Sequence, residues 1–261
     1  GMRYIIKENA LPAKRVEIYM HIGSGSLDEE KHQRGLAHFL EHMAFNGSKN
    51  FPTGTLIKYF DSLGLTFDMH QNAFTSFDQT TYILSLPDIN DESLDKGLLC
   101  LSDFAYRLDL DAKEIDKERG IIEEEETARS DVRQRILYKS LAVLLPGSRL
   151  AQRLPIGKMD VIKNASQLIF KEFYSKWYHP ENCTLLIVGD IAHEDAKKLI
   201  TKHFFDWKKK TIVPKHLKAE ITSYSKTRGF IIQEKELSGA TISLSNIQAP
   251  QKMNTYGNYR Q

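Results

Sequence analysis

The sequence predicts an α+β fold in which helices pack on a mixed, mostly antiparallel sheet. Strand-like and helical segments are intermixed, without the strict strand–helix alternation of a parallel βαβ fold. The first two strands are separated only by a turn, and several helical segments are long. The 261 residues, 41% of them hydrophobic, are enough for one large domain or two small ones.

Hydrophobic periodicity and turn residues define the predicted elements. The Gly- and Ser-rich run at 23–26 is expected to be a flexible connection, Asn46-Gly47 to end a helix, and Ser130-Asp131 to break a long helix. The basic segment 206–228, with its run of three lysines, indicates a solvated linker. Predicted strands occupy 4–7, 15–21, 65–70, 72–77, 80–86 and 183–188, and predicted helices occupy 34–45, 53–63, 91–108, 112–145, 166–178 and 192–204.

Charge and cysteine content argue against several classes of function. The 36 Lys and Arg balance 34 Asp and Glu, which gives no argument for nucleic acid or an anionic membrane surface as a partner. Two cysteines provide neither a disulfide framework nor a thiolate metal site. No run approaches the roughly 20 apolar residues of a membrane span. Because strand-like sequence begins almost at residue 1, we expect upstream residues to be missing, and the lack of a signal peptide says little about the compartment.

A His-x-x-Glu-His motif at 38–42 indicates a metal site. It lies within the predicted helix 34–45, where positions i, i+3 and i+4 share one face, so that His38, Glu41 and His42 point the same way. Two histidines one turn apart can chelate one zinc ion. Glu41 then stands beside the metal, where a base can take a proton from zinc-bound water. The alternative is a pair of surface histidines beside a solvated glutamate.

A catalytic zinc site needs a third protein ligand, and the predicted helix 112–145 offers several carboxylates. Glu118 and Glu125 both fall on the core-facing side of this helix, and a buried carboxylate needs a partner or a metal. Spacing alone leaves Glu118 and Glu125 as equal candidates. One would bind zinc, and the other would contact a zinc ligand without binding the metal itself. The alternative is a helix whose acidic residues pair with neighbouring Arg and Lys. The i, i+3, i+4, i+7 spacing of a core-facing stripe is followed by Glu118, Ile121, Ile122 and Glu125.

A weak internal repeat predicts a duplicated architecture. Residues 4–8 align without gaps to residues 230–234, and the same offset brings later apolar positions into register. We therefore expect residues 1–215 to form a zinc-binding α+β domain and residues 216–228 to form a linker. Residues 229–261 are expected to be the truncated start of a second, homologous half.

Several motifs together resemble one family of zinc peptidases. Residues 38–48 are similar to the active-site helix of the pitrilysin, insulin-degrading enzyme and mitochondrial processing peptidase family, and residues 118–125 resemble its second motif. The resemblance extends from residue 4 to about 190 and is nearest to the bacterial zinc proteases of the family. Further similar segments are 72–78, 153–157 and 178–190.

The resemblance implies roles for individual residues. Glu125 is implied to be the third zinc ligand, with Glu118 supporting the site from outside. An extended peptide substrate is implied to add a strand to the sheet edge. The residues of that edge are Asn72, Ala73, Phe74 and Thr75.

The resemblance also implies the function and its alternative. Family members close two homologous halves around a peptide like a clamshell, and only the first half carries the metal. The implied function is a zinc-dependent endopeptidase acting on peptides or unfolded segments, whose partner is the second half or a homologous subunit. Without that half, the chain is expected to lack full activity. The alternative is a catalytically inactive scaffold or partner-binding subunit. The bacterial branch is often exported, which favours the periplasm.

Overall fold

The computed structural model of the protein describes residues 1–62, 71–222, 226–247 and 254–259. Within them, a five-stranded sheet has the order β1-β5-β2-β4-β3. β1 pairs in parallel with β5, and the other pairings are antiparallel, so the predicted mixed, mostly antiparallel sheet is confirmed. The strand predicted over 65–70 lies outside the described residues. The strands are β1 (Arg3–Glu8), β2 (Val16–Ile22), β3 (Gln71–Thr75), β4 (Thr80–Leu86) and β5 (Cys183–Gly189).

The long helices lie close to their predicted positions. The helix predicted over 112–145 is broken at Ser130 and Asp131, as expected, and the Asp131 side chain caps the second part by accepting a hydrogen bond from Gln134 N at 2.8 Å. Among the described helices, none is both long and apolar enough to cross a membrane. The helices are α1 (Leu36–Met43), α2 (Thr55–Ser62), α3 (Asp91–Tyr106), α4 (Ala112–Arg129), α5 (Val132–Leu144), α6 (Arg149–Gln152), α7 (Met159–Asn164), α8 (Gln167–Trp177), α9 (His193–Phe204) and α10 (Tyr256–Tyr259).

The sheet buries one of its faces beneath helices. Residues of β2 and β5 alternate between buried and half-buried, the pattern of an antiparallel sheet with one covered face. Helix α1 packs on β3 and on α8. Phe39 of α1 meets Phe170 of α8 edge to face, with ring centroids 4.7 Å apart. These contacts attach α1 firmly to the hydrophobic core.

The Gly- and Ser-rich run at 23–26 is not a flexible connection, contrary to the prediction. Ser24 and Ser26 are buried, and Ser26 Oγ donates a hydrogen bond to the carbonyl oxygen of Arg153 at 2.5 Å. A Cβ on Gly25 would lie only 2.3 Å from the carbonyl oxygen of Ser76. The small residues here permit close packing between chain segments, which composition alone does not distinguish from flexibility.

Two glycines allow close packing at the start of α1. Gly35 and Gly157 both have positive φ, at 99° and 80°. A Cβ added to Gly157 would lie 2.3 Å from the Cα of Gly35. The buried carboxylate of Glu29 accepts hydrogen bonds from the backbone N–H groups of Gly35 and Ala37, each at 2.9 Å. The N-terminal end of α1 is therefore held in place one residue before His38.

We expect Gly157→Ala to lower the free energy of unfolding by about 1–3 kcal/mol, because the new Cβ overlaps backbone atoms and the positive φ disfavours alanine. Gly120→Ala in α4 is the matched control, since a Cβ there meets no atom within 4 Å. Alanine in a helix is favoured over glycine by roughly 0.5–1 kcal/mol, so the control should be slightly stabilised. Chemical denaturation measures both variants. Wild-type stability of the Gly157 variant would contradict the close approach.

The chain divides into two compact units, Gly1–Ala128 with Arg153–Lys218, and Arg129–Gln152 with Ala219–Gln261. The first unit contains the whole described sheet. In the second unit, ion pairs join α5 to the segment 226–247, which has no assigned strand. The predicted domain boundaries at 215 and 229, and the predicted second half, stay predictions. The ion pairs are Arg135–Glu234 at 3.2 Å, Arg135–Glu236 at 2.7 Å and Lys139–Glu234 at 2.5 Å.

Candidate metal centre

Helices α1 and α4 bring His38, His42 and Glu125 within reach of one metal ion. Oε2 of Glu125 lies 3.5 Å from Nε2 of His38 and 3.3 Å from Nε2 of His42. One ligand atom from each residue lies within 4.8 Å of the other two. Tetrahedral zinc with bonds of about 2.0–2.1 Å separates its ligand atoms by about 3.3 Å. The donor set and its spacing therefore fit zinc.

The charge states of Glu125 and His42 are coupled. Burial alone would raise the pKa of Glu125, but the neighbouring imidazoles of His38 and His42 hold it well below its usual range. For His42 burial has the opposite effect and lowers the pKa, but the carboxylates of Glu118 and Glu125 outweigh burial and raise this pKa to about 9. In the metal-free chain at neutral pH, His42 is therefore a protonated imidazole between two carboxylates.

We expect the zinc affinity to increase as the pH rises from 6 toward 9. The pKa of His42 lies above its ordinary value, so the proton is still bound at pH 7 and zinc must displace it. Isothermal titration calorimetry in buffers of different ionisation enthalpy should detect about one proton released per zinc at pH 7. Binding at pH 7 without proton release would contradict a protonated His42.

Glu118 contacts the far side of His42. Its Oε1 atom lies 2.8 Å from Nδ1 of His42, and its Oε2 atom accepts a hydrogen bond from Nδ2 of Asn46 at 2.6 Å. A carboxylate on Nδ1 leaves Nε2 of the same ring available to a metal. Glu125 thus lies with the Nε2 atoms of the histidines, whereas Glu118 lies on the opposite side of the His42 ring.

The core-facing stripe of α4 differs from the predicted one. Ile115, Glu118 and Ile122 are buried, but Ile121 is 51% exposed, contrary to the prediction. The buried positions follow i, i+3 and i+7, and Glu125 continues this series at i+10. The face of α4 that lies against α1 carries Glu118 and Glu125, and Ile121 lies outside this face.

Arg119 anchors the middle of α4, a contact that the sequence analysis did not anticipate. Its guanidinium donates hydrogen bonds to the carbonyl oxygens of Ile162 and Ala165, the latter at 2.7 Å. These carbonyl groups lie at the C-terminal end of α7, where helix carbonyls need donors. The anchor stands next to Glu118 in the chain, so it helps to fix the register of the α4 carboxylates against α1.

Glu41 lies beside the histidines and is only 7% exposed. Burial raises the pKa of its carboxyl group above the ordinary value, although His38, Thr75 and His42 oppose the shift. Thr75 Oγ1 donates a hydrogen bond to Oε2 of Glu41 at 2.5 Å. A positioned carboxyl group with a raised pKa has the properties required of a general base.

The predicted substrate-binding residues lie on β3, the last strand in the described sheet order. Phe74 is 43% exposed, and the backbone N–H of Ala73 donates to the Asn72 side chain at 2.7 Å. Thr75 differs from its neighbours, because its hydroxyl group contacts Glu41 instead of solvent. Sequence spacing contains no signal for that contact, since it joins a strand to a helix 34 residues earlier.

The chain is similar to proteins of one peptidase family. The family described as Insulinase (Peptidase family M16) matches residues 4–143, and the Peptidase M16 inactive domain matches residues 168–259. The chain is 35% identical over 263 residues to the probable zinc protease PqqL of Haemophilus influenzae. This alignment covers 100% of this chain and 28% of that protein. It is 38% identical over 200 residues to the probable zinc protease PqqL of Escherichia coli, covering 77% of this chain and 22% of that protein.

A solved structure has the same fold. The first half of the periplasmic protease PqqL from Escherichia coli aligns with a TM-score of 0.81 at 34% identity, over 86% of this chain and 48% of that chain. The chain spans about a quarter of the length of the two curated relatives. The predicted family resemblance is confirmed, because the insulinase family match at residues 4–143 covers more than half of the 261 residues. The chain therefore belongs to the insulinase family of peptidases, family M16.

Proposed function

We propose that this chain is the metal-binding part of a zinc-dependent endopeptidase that hydrolyses peptides or unfolded segments. One observation carries the proposal: three potential ligand atoms stand at zinc-like spacing, with the buried carboxyl group of Glu41 on the same helix as the two histidines. The curated relatives carry the name probable zinc protease, which supports the proposal. Zinc would be held by His38, His42 and Glu125.

Glu41 is the general base in this proposal. It lies three residues after His38 and one before His42, so its carboxylate is next to both ligands. Thr75 holds Oε2, which makes Oε1 the oxygen that takes a proton from the attacking water and passes it to the leaving amine. The chemistry that zinc supplies when bound is polarisation of the scissile carbonyl group and a lowering of the pKa of water toward about 7.

The substrate is proposed to lie extended along β3. This strand pairs with β4 on one side and is the last strand of the described sheet, and an edge strand can hydrogen-bond an added peptide strand. Asn72, Ala73 and Phe74 would contact the peptide. Thr75 would connect the substrate strand to Glu41, because its backbone belongs to β3 and its hydroxyl group binds the carboxylate.

Full activity is proposed to need a second half-domain, from a longer chain or from a homologous subunit. The proposal is supported by the length of the curated relatives, of which this chain spans about a quarter. We also propose a periplasmic location, supported by the relative from Escherichia coli, which is described as a periplasmic protease. The proposed substrate is therefore a peptide or unfolded segment in that compartment.

Cleavage of unstructured peptides, followed by mass spectrometry, tests the proposal in the natural protein that contains this chain. We expect cleavage to stop when a chelator removes the metal and to return when zinc is added. The 261-residue chain alone is expected to bind about one zinc ion and to cleave weakly. Zinc binding without cleavage in either form would favour the scaffold alternative. Failure of both forms to bind zinc would overturn the metal site itself.

A further inference from the structure

We infer that Asn46 is a positioning residue of the metal site, which acts on His42 through Glu118. The inference rests on the proposed zinc site and extends it by one residue. Asn46 is neither a metal ligand nor in contact with one of the three proposed ligands in the described hydrogen bonds. Its amide group instead bonds the carboxylate that bonds His42.

Asn46 is held in place by its own backbone. Its N–H group donates to the carbonyl oxygen of Met43 at 3.1 Å, and its carbonyl oxygen accepts from Thr53 Oγ1 at 2.9 Å. The residue lies just beyond the end of α1, four positions after His42, and both side chains contact the same neighbour. That neighbour is Glu118 of α4. A single carboxylate therefore receives one donor from each of two side chains at the same end of α1.

The amide orientation follows from the chemistry. An atom 2.6 Å from a carboxylate oxygen must be a donor, so the NH₂ group faces Glu118, because the amide oxygen would be repelled. Two hydrogen bonds, one to each oxygen, define the orientation of the carboxylate plane, whereas the contact with His42 alone would let the group rotate. The Glu118 side chain is only 9% exposed, so water cannot readily replace a lost donor.

Removal of the Asn46 donor should therefore weaken the hydrogen bond between Glu118 and His42. Loss of an outer partner of a metal ligand typically lowers metal affinity by about 10- to 100-fold. Asn46 acts one contact further out, so we expect about a tenfold loss, at the lower end of that range. A purely structural role at the end of α1 would instead change stability without changing zinc affinity.

Asn50 provides a matched control. Its Nδ2 atom donates to Oδ1 of the buried carboxylate of Asp103 at 2.8 Å, which is the same chemistry as the Asn46–Glu118 contact. Among the described residues, the Asp103 carboxylate also accepts hydrogen bonds from Ser48, the Asn50 backbone and Arg107, and none of these is a proposed metal ligand. Asn50→Leu should therefore lower stability while leaving zinc affinity unchanged.

Zinc titration of the 261-residue chain against a competing chelator tests the inference, with thermal melting of the metal-free variants as the second measurement. Asn46→Leu and the smaller change Asn46→Ser should each weaken zinc binding about tenfold, and Asn50→Leu should stay within about twofold of wild type. In a Glu118→Gln background, Asn46→Leu should cause little further loss, because its effect passes through Glu118.

Wild-type affinity in both Asn46 variants would overturn the inference, and so would a full tenfold loss that persists in the Glu118→Gln background. Asn46→Ser keeps the test decisive if Asn46→Leu does not fold. Failure to bind zinc in both the wild-type 261-residue chain and the natural protein that contains it would overturn the proposed metal site together with this inference. Tight binding by wild type and by both Asn46 variants would overturn the inference alone.

Discussion

Glu41→Gln is expected to abolish peptide hydrolysis while zinc stays bound. Glutamine has nearly the same size and keeps an oxygen that can accept the hydrogen bond from Thr75, so the packing around α1 should be preserved. It cannot accept a proton at neutral pH, and loss of a general base typically lowers the rate by about 10²- to 10⁴-fold. Peptide cleavage in the natural protein that contains this chain, with zinc content measured alongside, gives both readouts.

Glu124→Gln is the matched control for this experiment. Glu124 is exposed on α4, and the same substitution there removes one negative charge near the site without removing a proposed base. The control should cleave at close to the wild-type rate. If Glu41→Gln also cleaved at the wild-type rate, Glu41 would not be the base. If it lost its zinc, the missing activity would instead report damage to the metal site.

The positions of the helices and strands could be predicted largely from local signals. The strand at 80–86 and the helix break at Ser130-Asp131 are encoded within a few residues, and the structure has both where the sequence predicts them. The run at 23–26 could not be judged in this way. Its small residues serve contacts with Arg153 and Ser76, which are distant in sequence.

Some residues of the metal site could likewise be predicted from local signals, and others could not. His38, Glu41 and His42 share one helix, so spacing alone predicts their common face. The choice between Glu118 and Glu125 depends on how α4 lies against α1, and this is not a local property. Ile121 illustrates the difficulty, because its spacing suited the core stripe equally well, yet the rotation that turns the glutamates toward α1 leaves it exposed.

The outer contacts are the least predictable part of the site. Asn46 lies four residues after His42 but beyond the end of α1, so helical spacing does not place its side chain, and the carboxylate that contacts both residues comes from α4. The contact of Thr75 with Glu41 joins β3 to α1. Both depend on packing of elements that are far apart in sequence, and single-sequence periodicity contains no information on that packing.

Glu125→Gln is expected to remove most zinc binding from the chain. The carboxylate stands within 3.5 Å of both histidine Nε2 atoms, and its lowered pKa keeps it ionised at neutral pH, ready to bind a cation. A neutral amide oxygen is a weaker zinc ligand. The loss of affinity should therefore exceed the roughly 100-fold that removal of an outer partner can cause. Elemental analysis and zinc titration, on protein purified without a metal-affinity tag, measure it.

Glu118→Gln and Glu124→Gln complete the comparison with identical chemistry at three positions of α4. Glu118 contacts Nδ1 of His42 and not the Nε2 atoms, so its variant should lose only about 10- to 100-fold in affinity. Glu124 is exposed, and its variant should bind zinc as wild type does. If Glu118→Gln lost more zinc affinity than Glu125→Gln, the roles of ligand and outer support would have to be exchanged. Equal and small losses in both would mean that neither carboxylate binds the metal directly.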